Sequence, residues 1–420
     1  MCPKKAPSTS APKRREATTG HRIARHHVGM TRIGILTGGG DVPGLNSIIK
    51  SVVYRGWEIG WETIGIRRGW KGLTHLGPAG ASDDEYVVAL NRENTRRIDR
   101  SGGTILHTSR TNPARMKPDN LPEHLDPARL PSLETAEGRY DLTPAVLENI
   151  ERLGLTHLVA IGGDDTLGYA DRLSREGVPL VAIPKTTDND VQGTEYCVGF
   201  STAVTRAKEL INRQRTTLGS HERIGVFRIF GRNSGYSAWY AAYVTSTRCV
   251  IPEAPFDLDL LASLLAEDRS LNPSRYSLVI ASEGASWVGG TLEEYGEPDA
   301  YGHRRPVDVG SVLAEELHRR TGIEVVHSDL TYDLRSGDPD ALDQMVATTF
   351  ANVAVDLLAE GMTGRMVAIR DGKYSHAPLP DPTRGPRHVD VESMYSTDRF
   401  RPLYGNRMGM PLLLGPSIGP

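Results

Sequence analysis

Short apolar runs alternate with longer amphipathic stretches along most of the chain. Residues 32–37 read RIGILT, a run that is typical of a short buried strand. A glycine-rich turn, GGGDVPGLN, follows this run and carries Pro43 near the start of the next stretch. That stretch, NSIIKSVVYRG, has its isoleucines and valines on one helical face. The pattern therefore predicts a strand, a tight turn and a helix.

The same order of strand, polar turn and helix recurs several times. It is found at HLVAIGGDDTLGYADRLSREG (157–177), PLVAIPKTTDND (179–190) before STAVTRAKELINRQR (201–215), RIGVFRIFGRNSGYSAWYAAYV (223–244), YSLVIASEGA (276–285), EVVHSDLTYDLRSG (324–337) and RMVAIRDGKYS (365–375). Near-continuous apolar strands that alternate with helices predict an α/β fold whose mostly parallel sheets are covered on both faces. Ligands of such sheets bind beyond the carboxyl ends of the strands, so we expect one site built from several distant loops. Residues 67 to about 145 are polar and proline-rich, and we expect surface loops and short helices there.

Length, charge and cysteine content narrow the class of protein. A chain of 420 residues is long enough for two α/β domains, and its net charge of −3 gives no general preference for nucleic acid or anionic membrane. Cys2, Cys197 and Cys249 lack C-x-x-C spacing, which argues against a disulfide framework or a cysteine zinc site and favours the cytoplasm. No uninterrupted apolar run reaches the ~18 residues of a membrane span, so we expect no membrane partner.

The first 30 residues differ in composition from the rest of the chain. They are rich in Pro, Ser, Thr, Lys and Arg and have almost no periodic apolar positions, which predicts a disordered basic tail. A nucleic-acid-binding arm, a transit peptide, or a leader ahead of a second start at Met30 are the alternatives. Because the chain has no aromatic and basic module of the kind that binds nucleic acid, we expect no nucleic-acid partner.

Three motifs that follow apolar strands could carry chemistry. In TGGGD, the glycines at 38–40 let backbone N–H groups approach an anion, although many strand-to-helix turns carry glycine only for packing. In GGDDT, one of two adjacent carboxylates could hold Mg²⁺, and the alternative is an N-cap aspartate with an acidic first helical turn. In PKTTDND, Asp188 and Asp190 could supply a general base and an orienting carboxylate, and Lys185 could pair with a phosphate. The alternative for PKTTDND is a turn with a surface ion pair.

Arginines beside glycines could complete a phosphate cage. Arg110 lies in TSRTNP, Arg223 and Arg232 bracket RIGVFRIFGR, and Arg335 lies in YDLRSG. Arginine matches phosphate oxygens bidentately, while the alternative for each is a solvated surface residue. We treat the histidines as structural because they lack metal-ligand spacing, namely His221, His303 and His327.

Taken in order, TGGGDVPGLN, GGDDT, PKTTDND, FGRNSG, ASEGA and LTYDLRSGDPDALDQ resemble the phosphofructokinase family over residues 31 to about 375. The resemblance implies two Rossmann-like three-layer αβα domains with the active site in the cleft between them. It implies a larger donor domain at 31–199 completed by about 334–385, a smaller sugar-phosphate domain at 200–333, and a C-terminal extension at 386–420.

The resemblance also assigns roles to the matched positions. Asp188 falls where the family has its proton acceptor for the sugar 1-hydroxyl, and Asp164 where it has its Mg²⁺ ligand. Arg223 matches an arginine that reaches toward the sugar phosphate across a subunit interface, which implies a homodimer or homotetramer. Catalysis is assigned to Lys185, Asp165, Asp188 and Asp190, pyrophosphate binding to Gly39, Gly40, Arg110 and Lys185, and sugar-phosphate binding to Thr186, Thr187, Arg223, Phe230, Gly231, Arg232, Glu283, Tyr332 and Arg335.

Two positions depart from the ATP-using members and resemble the pyrophosphate-dependent branch. ATP-using members typically read G-G-D-G and P-G-T, whereas this chain has Asp165 and Lys185 at the two variable positions. Two unit charges at ~4 Å repel by about 4 kcal/mol at an effective dielectric near 20, so a carboxylate where a nucleotide α-phosphate would lie disfavours nucleotide. Lys185 can neutralise a leaving phosphate.

The resemblance therefore implies reversible, Mg²⁺-dependent phosphorylation of fructose 6-phosphate by pyrophosphate. The alternatives are an ATP-dependent member of the family, for which the Asp165 and Lys185 pair is the discriminating feature, and a non-catalytic regulatory homologue. The family's R-G-G sequence is R-S-G here, and Tyr332 replaces a histidine common in ATP enzymes, so the details of the sugar-phosphate pocket differ from the family pattern.

Overall fold

The protein is described here by a computed structural model. The described residues are 30–77, 85–135, 138–289, 308–405 and 407–410, with the backbone of two short strands at 294–295 and 305–306. Residues 1–29 of the predicted tail, with Cys2, and the predicted structural His303 lie outside the described residues.

Strands and helices alternate through most of the chain. The strands are β1 (Arg32–Thr37), β2 (Glu62–Ile66), β3 (Val87–Leu90), β4 (His157–Gly162), β5 (Leu180–Pro184), β6 (Ile224–Ile229), β7 (Arg248–Val250), β8 (Ser277–Ser282), β9 (Glu294–Tyr295), β10 (Arg305–Pro306), β11 (Val325–Asp329), β12 (Arg365–Arg370), β13 (Lys373–Pro378), β14 (Tyr395–Ser396) and β15 (Arg401–Pro402). The helices are α1 (Leu45–Glu58), α2 (Trp70–Thr74), α3 (Leu130–Leu133), α4 (Thr143–Arg152), α5 (Asp164–Arg175), α6 (Phe200–Ser220), α7 (Tyr236–Thr245), α8 (Leu258–Leu271), α9 (Val309–Thr321), α10 (Thr331–Arg335), α11 (Ala341–Ala359) and α12 (Val391–Met394).

The larger sheet has seven strands in the order β13-β12-β5-β4-β1-β2-β3. Its five inner strands run parallel, and the two edge strands, β13 and β3, are antiparallel to their neighbours. Successive residues of β5 point to opposite faces, since Val181 and Ile183 belong to one apolar cluster and Leu180 and Ala182 to another. This sheet is therefore buried on both faces, as the continuous apolar runs predict.

The smaller sheet has four parallel strands in the order β11-β6-β8-β7. Its apolar side chains, such as Val226 and Ile280, belong to the same cluster as Val181 and Ile183 of the larger sheet. The two mostly parallel sheets confirm the predicted α/β class. From Thr31 onward the chain forms one compact unit, and the division into two domains stays a prediction.

The segment after residue 385 packs against the smaller sheet. The indole Nε1 of Trp239 in α7 donates to the carbonyl of Met394 (2.8 Å), and the hydroxyl of Tyr395 donates to the carbonyl of Cys249 (2.6 Å). The amide of Cys249 in turn donates to the carbonyl of Phe400 (2.8 Å). The described part of the C-terminal extension is thus tied to the core.

None of the helices in the described part of the chain combines the length and the apolar character that a membrane crossing requires.

Candidate active site

Three of the sequence motifs meet at one edge of the larger sheet. Strands β1, β4 and β5 are parallel neighbours, so their carboxyl ends lie side by side. Backbone hydrogen bonds join the loops that follow them, from the Gly38 amide to the Ile161 carbonyl (2.9 Å) and from the Lys185 amide to the Gly162 carbonyl (3.0 Å). The structure therefore brings TGGGD, GGDDT and PKTTDND together.

Lys185 lies under the glycine-rich loop that follows β1. Its side chain is buried, with 4% of the residue exposed. Its Nζ lies 3.2 Å from the position that a Cβ on Gly39 would occupy, and Gly39 has a φ of +77°, a conformation that side chains other than glycine rarely adopt. The loop therefore leaves the ammonium group within reach of a ligand at the Gly39 backbone.

The charge of Lys185 is set by its surroundings. Burial, together with the positive charges of Arg335 and Arg110, lowers the pKa of Lys185 to about 8, while Asp165 and Asp41 act in the opposite direction. The ammonium group is thus held among cations as well as carboxylates. Such a site is suited to an anionic ligand, which would relieve the repulsion among the cations.

Asp164 and Asp165 begin helix α5 directly after β4. The N-cap residue is Gly163, so neither aspartate is the capping residue, although both are in the acidic first turn. Burial, together with the neighbouring carboxylates of Asp165 and Asp188, raises the pKa of Asp164 to about 7, while Lys185 acts in the opposite direction. The carboxylates are close enough to repel one another, an arrangement that a divalent cation stabilises.

The loop after β5 holds Asp188 by local hydrogen bonds. The Asp188 amide donates to Oγ1 of Thr186 (3.1 Å), and Oγ1 of Thr187 donates to Oδ1 of Asp188 (3.1 Å). Ser237, in the first turn of α7, donates to the Thr187 carbonyl (2.6 Å). The loop is therefore fixed both internally and against a helix of the smaller sheet.

Desolvation dominates the ionisation of the two aspartates in this loop. It raises the pKa of Asp188, and the carboxylate of Glu283 adds to that rise while Arg335 opposes it. Asp190 has its pKa raised well above the ordinary range by burial and by the charges of Asp188 and Asp164. A raised pKa makes a carboxylate a stronger proton acceptor, which suits a general base.

The residues expected to bind the sugar phosphate follow the strands of the smaller sheet. Phe230, Gly231 and Arg232 follow β6, and Glu283 follows β8, with the Nη2 of Arg232 3.9 Å from Oε1 of Glu283. The Gly231 carbonyl accepts from the Ser282 hydroxyl (2.7 Å). These side chains lie at the carboxyl edge of the smaller sheet.

Arg335 connects the edges of the two sheets. Its Cζ lies 4.0 Å from the centre of the Phe230 ring and 6.0 Å from the centre of the Tyr332 ring, and the two rings meet edge to face at 5.9 Å. Its guanidinium also lies 3.1 Å from the position that a Cβ on Gly40 would occupy. Tyr332 itself is 74% exposed. Arg335 is therefore beside the TGGGD loop as well as beside the segment expected to bind the sugar phosphate.

Two of the arginines expected in the site differ in their distance from the three converging loops. Arg223 lies at the far end of a strand, and Arg110 lies close to Lys185. Arg223 precedes β6 and pairs with Glu324 (2.7 Å) at the amino end of the strand. The six residues of β6 span about 20 Å, so the same chain does not bring Arg223 to the carboxyl edge. Arg110 is close enough to lower the pKa of Lys185, and it lines a neighbouring cavity of about 700 Å³ together with Lys71, His75, Tyr86 and His124.

The described histidines that were expected to be structural make only local contacts. The ring Nδ1 of His221 lies 3.0 Å from the Thr217 carbonyl oxygen at the end of α6. Nε2 of His327 lies 3.8 Å from Oδ1 of Asp308.

Sequence reasoning missed two residues that shape the site. Arg228, inside β6, pairs with Asp329 (2.7 Å) and lies 3.6 Å from Glu283. The sequence feature that could have identified Arg228 is its charge, because the rest of the strand is apolar. Thr166 fills the space beside the phosphate loop, since its Oγ1 is 2.5 Å from where a Cβ on Gly38 would lie. No pattern in the sequence marked Thr166.

No group of three or more His, Cys, Asp or Glu side chains with metal-binding geometry occurs in the described ranges. A Mg²⁺ ion bound through one or two carboxylates plus water and phosphate oxygens does not require such a group. Asp164 and its carboxylate neighbours are therefore compatible with that mode of binding.

Comparisons with known proteins agree with this geometry. A family model described as "Phosphofructokinase" matches residues 32–358. The chain is 37% identical over 374 residues to the pyrophosphate–fructose 6-phosphate 1-phosphotransferase of Amycolatopsis mediterranei (strain S699), covering 88% of this chain and 99% of that protein. It is also 37% identical over 353 residues to the ATP-dependent 6-phosphofructokinase 3 of Streptomyces coelicolor, covering 83% of this chain and 94% of that one.

A solved structure shows the same fold. The pyrophosphate-dependent phosphofructokinase from Marinobacter aquaeolei matches with a TM-score of 0.70 and 16% sequence identity, covering 92% of each chain. The family match spans most of the chain, and the near full-length relatives exceed one third identity. The chain belongs to the phosphofructokinase family.

Proposed function

We propose that this protein is a pyrophosphate-dependent 6-phosphofructokinase. It transfers a phosphoryl group from Mg²⁺-pyrophosphate to the 1-hydroxyl of fructose 6-phosphate and gives fructose 1,6-bisphosphate and phosphate. Because a phosphoanhydride donor and a phosphate ester product differ only modestly in transfer potential, the reaction is reversible. The enzyme would therefore serve glycolysis and gluconeogenesis.

The observation that carries this proposal is the placement of Lys185. A buried ammonium group lies beside the Gly39 backbone, where an anionic donor would bind, and the Asp165 carboxylate acts on the same ammonium group. A loose phosphoryl-transfer transition state concentrates charge on the leaving group, so a fixed cation there lowers the barrier. For pyrophosphate the leaving group is inorganic phosphate, which Lys185 can neutralise directly.

Asp188 is the proposed general base. It takes the proton from the 1-hydroxyl of fructose 6-phosphate while the sugar oxygen forms its bond to the terminal phosphorus. The bridging P–O bond of pyrophosphate breaks, and the leaving phosphate keeps that electron pair. Hydrogen bonds from Thr187 and to Thr186 hold Asp188, which favours the near-attack geometry this step needs.

Sugar-phosphate binding is proposed for residues of both sheets. Arg232 and Glu283 face one another after β6 and β8, and the guanidinium of Arg335 lies over the Phe230 ring and near the Tyr332 ring. Arg335 also acts electrostatically on both Lys185 and Asp188. We infer that Arg335 contacts the transferred phosphoryl group in addition to the sugar phosphate.

Asp164 is the proposed Mg²⁺ ligand, with water and phosphate oxygens completing the coordination. The ion would neutralise charge on the phosphate oxygens of the donor. The repulsion that raises the pKa of Asp164 is what cation binding would relieve. The chain's own part is to hold this carboxylate at the start of α5, next to the donor loop.

An ATP-dependent 6-phosphofructokinase is the second candidate, and two observations favour it. One near full-length relative is named ATP-dependent at the same 37% identity. The cavity of about 700 Å³ beside Arg110 is within the size range of small-molecule sites and contains the rings of His75 and Tyr86. Against this candidate, the resemblance implies that Asp165 falls where a nucleotide α-phosphate would lie, so its carboxylate would repel nucleotide.

One kinetic comparison tests the donor. The measurement is kcat/KM for pyrophosphate and for ATP in wild type, Asp165→Gly, Lys185→Gly and the double variant. We expect wild type to use pyrophosphate, Asp165→Gly to gain ATP use, and Lys185→Gly to lose pyrophosphate activity. The double variant should resemble an ATP enzyme more than either single one, with non-additive effects because both residues act on the same donor. Wild type that prefers ATP would overturn the proposal.

We also propose a homo-oligomer, at least a dimer, in the cytoplasm. Arg223 lies at the amino end of β6, away from the site of its own chain, so it would serve the site of a neighbouring protomer. Cys197 and Cys249 are buried thiols, which suits a reducing compartment.

A further inference from the structure

The segment that follows residue 385 contacts the loop that carries Asp188 and Asp190. The Arg387 amide donates to the Asp190 carbonyl (2.6 Å), and the side-chain amide of Gln192 donates to the Pro386 carbonyl (3.1 Å). The family model ends at residue 358, so this segment lies outside the matched core. A segment beyond the family core is thus hydrogen-bonded to the catalytic loop.

The side chain of Arg387 extends the contact to helix α7. Only 9% of the residue is exposed. Its Nη1 donates to the Thr194 carbonyl (2.7 Å), and its Nε donates to the Tyr236 hydroxyl (3.1 Å), with Cζ 4.3 Å from the centre of the Tyr236 ring. One buried guanidinium therefore joins the catalytic loop to the first residue of α7.

Neighbouring residues of the segment anchor Arg387 on the smaller sheet. The Tyr236 hydroxyl donates to the His388 carbonyl (2.8 Å). The Val389 amide donates to Oε1 of Glu253 (2.8 Å), which also accepts from the Gly235 amide (2.8 Å). Hydrogen bonds thus fix Gly235 and Tyr236 at the start of α7 and the two residues that follow Arg387. Arg387 therefore has little freedom to move with the loop.

We propose that Arg387 is a positioning residue for phosphoryl transfer, acting through the backbone of the Asp188 loop. The inference rests on the proposed function, because Asp188 is taken as the base. A closed set of contacts supports it: Arg387 binds Asp190, Thr194 and Tyr236, while Ser237, next to Tyr236, donates to Thr187. The loop is thus held at the middle of PKTTDND, through Thr187, and at its last residue, Asp190.

The position of the loop matters because misplacing a reacting group by about 1 Å can cost about a hundredfold in rate. Removing the Arg387 guanidinium leaves the Thr194 carbonyl without that donor and breaks the link to α7. The loop then samples positions in which Asp188 is displaced from the sugar hydroxyl. The sugar-phosphate residues after β6 and β8 keep their places and only Thr186 and Thr187 move with the loop, so the effect falls mainly on kcat.

The test compares Arg387→Met, Arg387→Lys and Tyr236→Phe with a matched control, Arg384→Ala, whose arginine is exposed on the turn Pro382–Arg384. The readouts are amide hydrogen exchange in peptides spanning 186–199 and kcat and KM for fructose 6-phosphate. We expect Arg387→Met to speed exchange in 186–199 and lower kcat by about 10- to 100-fold, with KM within about threefold. Arg387→Lys should lie between, and Arg384→Ala should match wild type.

Guanidinium ion at low millimolar concentration should restore part of the kcat of Arg387→Met, which a merely misfolded variant would not show. If Arg387→Met does not fold, exchange in 186–199 and kcat are compared in Arg387→Lys and Tyr236→Phe, which change fewer of the contacts. The positioning role would be overturned if Arg387→Met showed the same exchange rate in 186–199 as wild type. It would also be overturned if exchange were faster in Arg387→Met but its kcat equalled that of wild type. Wild type that transfers no phosphoryl group from pyrophosphate would instead contradict the proposed function, and the exchange data would still decide whether Arg387 holds the loop.

Discussion

The Nζ of Lys185 lies 3.2 Å from the point where a Cβ on Gly39 would be, so the donor loop and the buried ammonium group share one small space. We expect Gly39→Ala to disturb both, because the new methyl group would crowd Nζ and the φ of +77° would be strained. The expected result is a loss of kcat/KM for pyrophosphate of about 10- to 100-fold. Steady-state kinetics measure it.

Gly60→Ala is the matched control for that change, since Gly60 has a φ of +81° but no atom within 4 Å of its Cβ position. It carries the same kind of backbone strain without the contact at Lys185. Equal losses of activity in the two variants would show that strain alone is responsible.

Replacing the proposed base should separate chemistry from binding. Asp188→Asn removes the proton acceptor and keeps the shape of the side chain, so we expect kcat to fall by about 10² to 10⁴ with fructose 6-phosphate binding largely intact. Kinetics and calorimetric titration measure the two quantities. Asp398→Asn on the surface is the control, and near wild-type kcat in Asp188→Asn would remove Asp188 from the mechanism.

The pH dependence of kcat/KM should be bell-shaped. Asp188 accepts a proton only when ionised, and its raised pKa means that activity falls as the pH drops through that value. Lys185 helps only when protonated, so activity falls as the pH rises through about 8, the lowered pKa of its ammonium group. Rate profiles from pH 5 to 10 in the free-enzyme regime show both limbs.

Lys185→Arg identifies the alkaline limb, because a guanidinium keeps its proton beyond pH 12. The limb should move to higher pH in this variant even if the overall rate falls. An alkaline limb that stays near pH 8 would assign it to another group.

The predicted contribution of a second protomer can be tested by mixing variants. Arg223→Ala and Asp188→Asn protomers each lack one part of the site, but a mixed dimer contains one site with both parts. After subunit exchange we expect recovery of up to about a quarter of wild-type activity, because a random mixture leaves that share of sites intact. Each variant mixed with itself should stay inactive, and a fully active monomer in light scattering would exclude the arrangement.

The sequence predicted the strands that carry the site because those strands are continuous apolar runs ending in glycine or carboxylate motifs. β4 and β5 are of this kind, and so are β6 and β8. Strand β7 was not predicted because its three residues are too few to show a period. The contacts of Arg387 were not predicted either, since they are made largely to backbone carbonyls. Such contacts depend on where distant segments pack, and no local pattern encodes them.

Among the candidate site residues, sequence reasoning singled out those whose chemistry is concentrated in a short motif. Lys185 and Asp188 were proposed because a lysine and aspartates follow an apolar strand, and their roles stay predictions. Arg335 was assigned to the sugar-phosphate pocket alone, and the structure adds its approach to Gly40. That approach depends on where α10 packs, which is against α6, and spacing in the chain does not reveal it.

The order of strands in the larger sheet has a consequence for synthesis of the chain. β5 pairs with β12, whose residues emerge about 180 residues later. At a translation rate of about 5 to 20 residues per second, one edge of β5 has no partner for roughly 10 to 40 s. An open edge of this apolar strand is a template for pairing with another nascent chain. The lysine and aspartates that follow β5 therefore reach their final surroundings only after β12 has left the ribosome, so chaperone demand should peak in the interval before that.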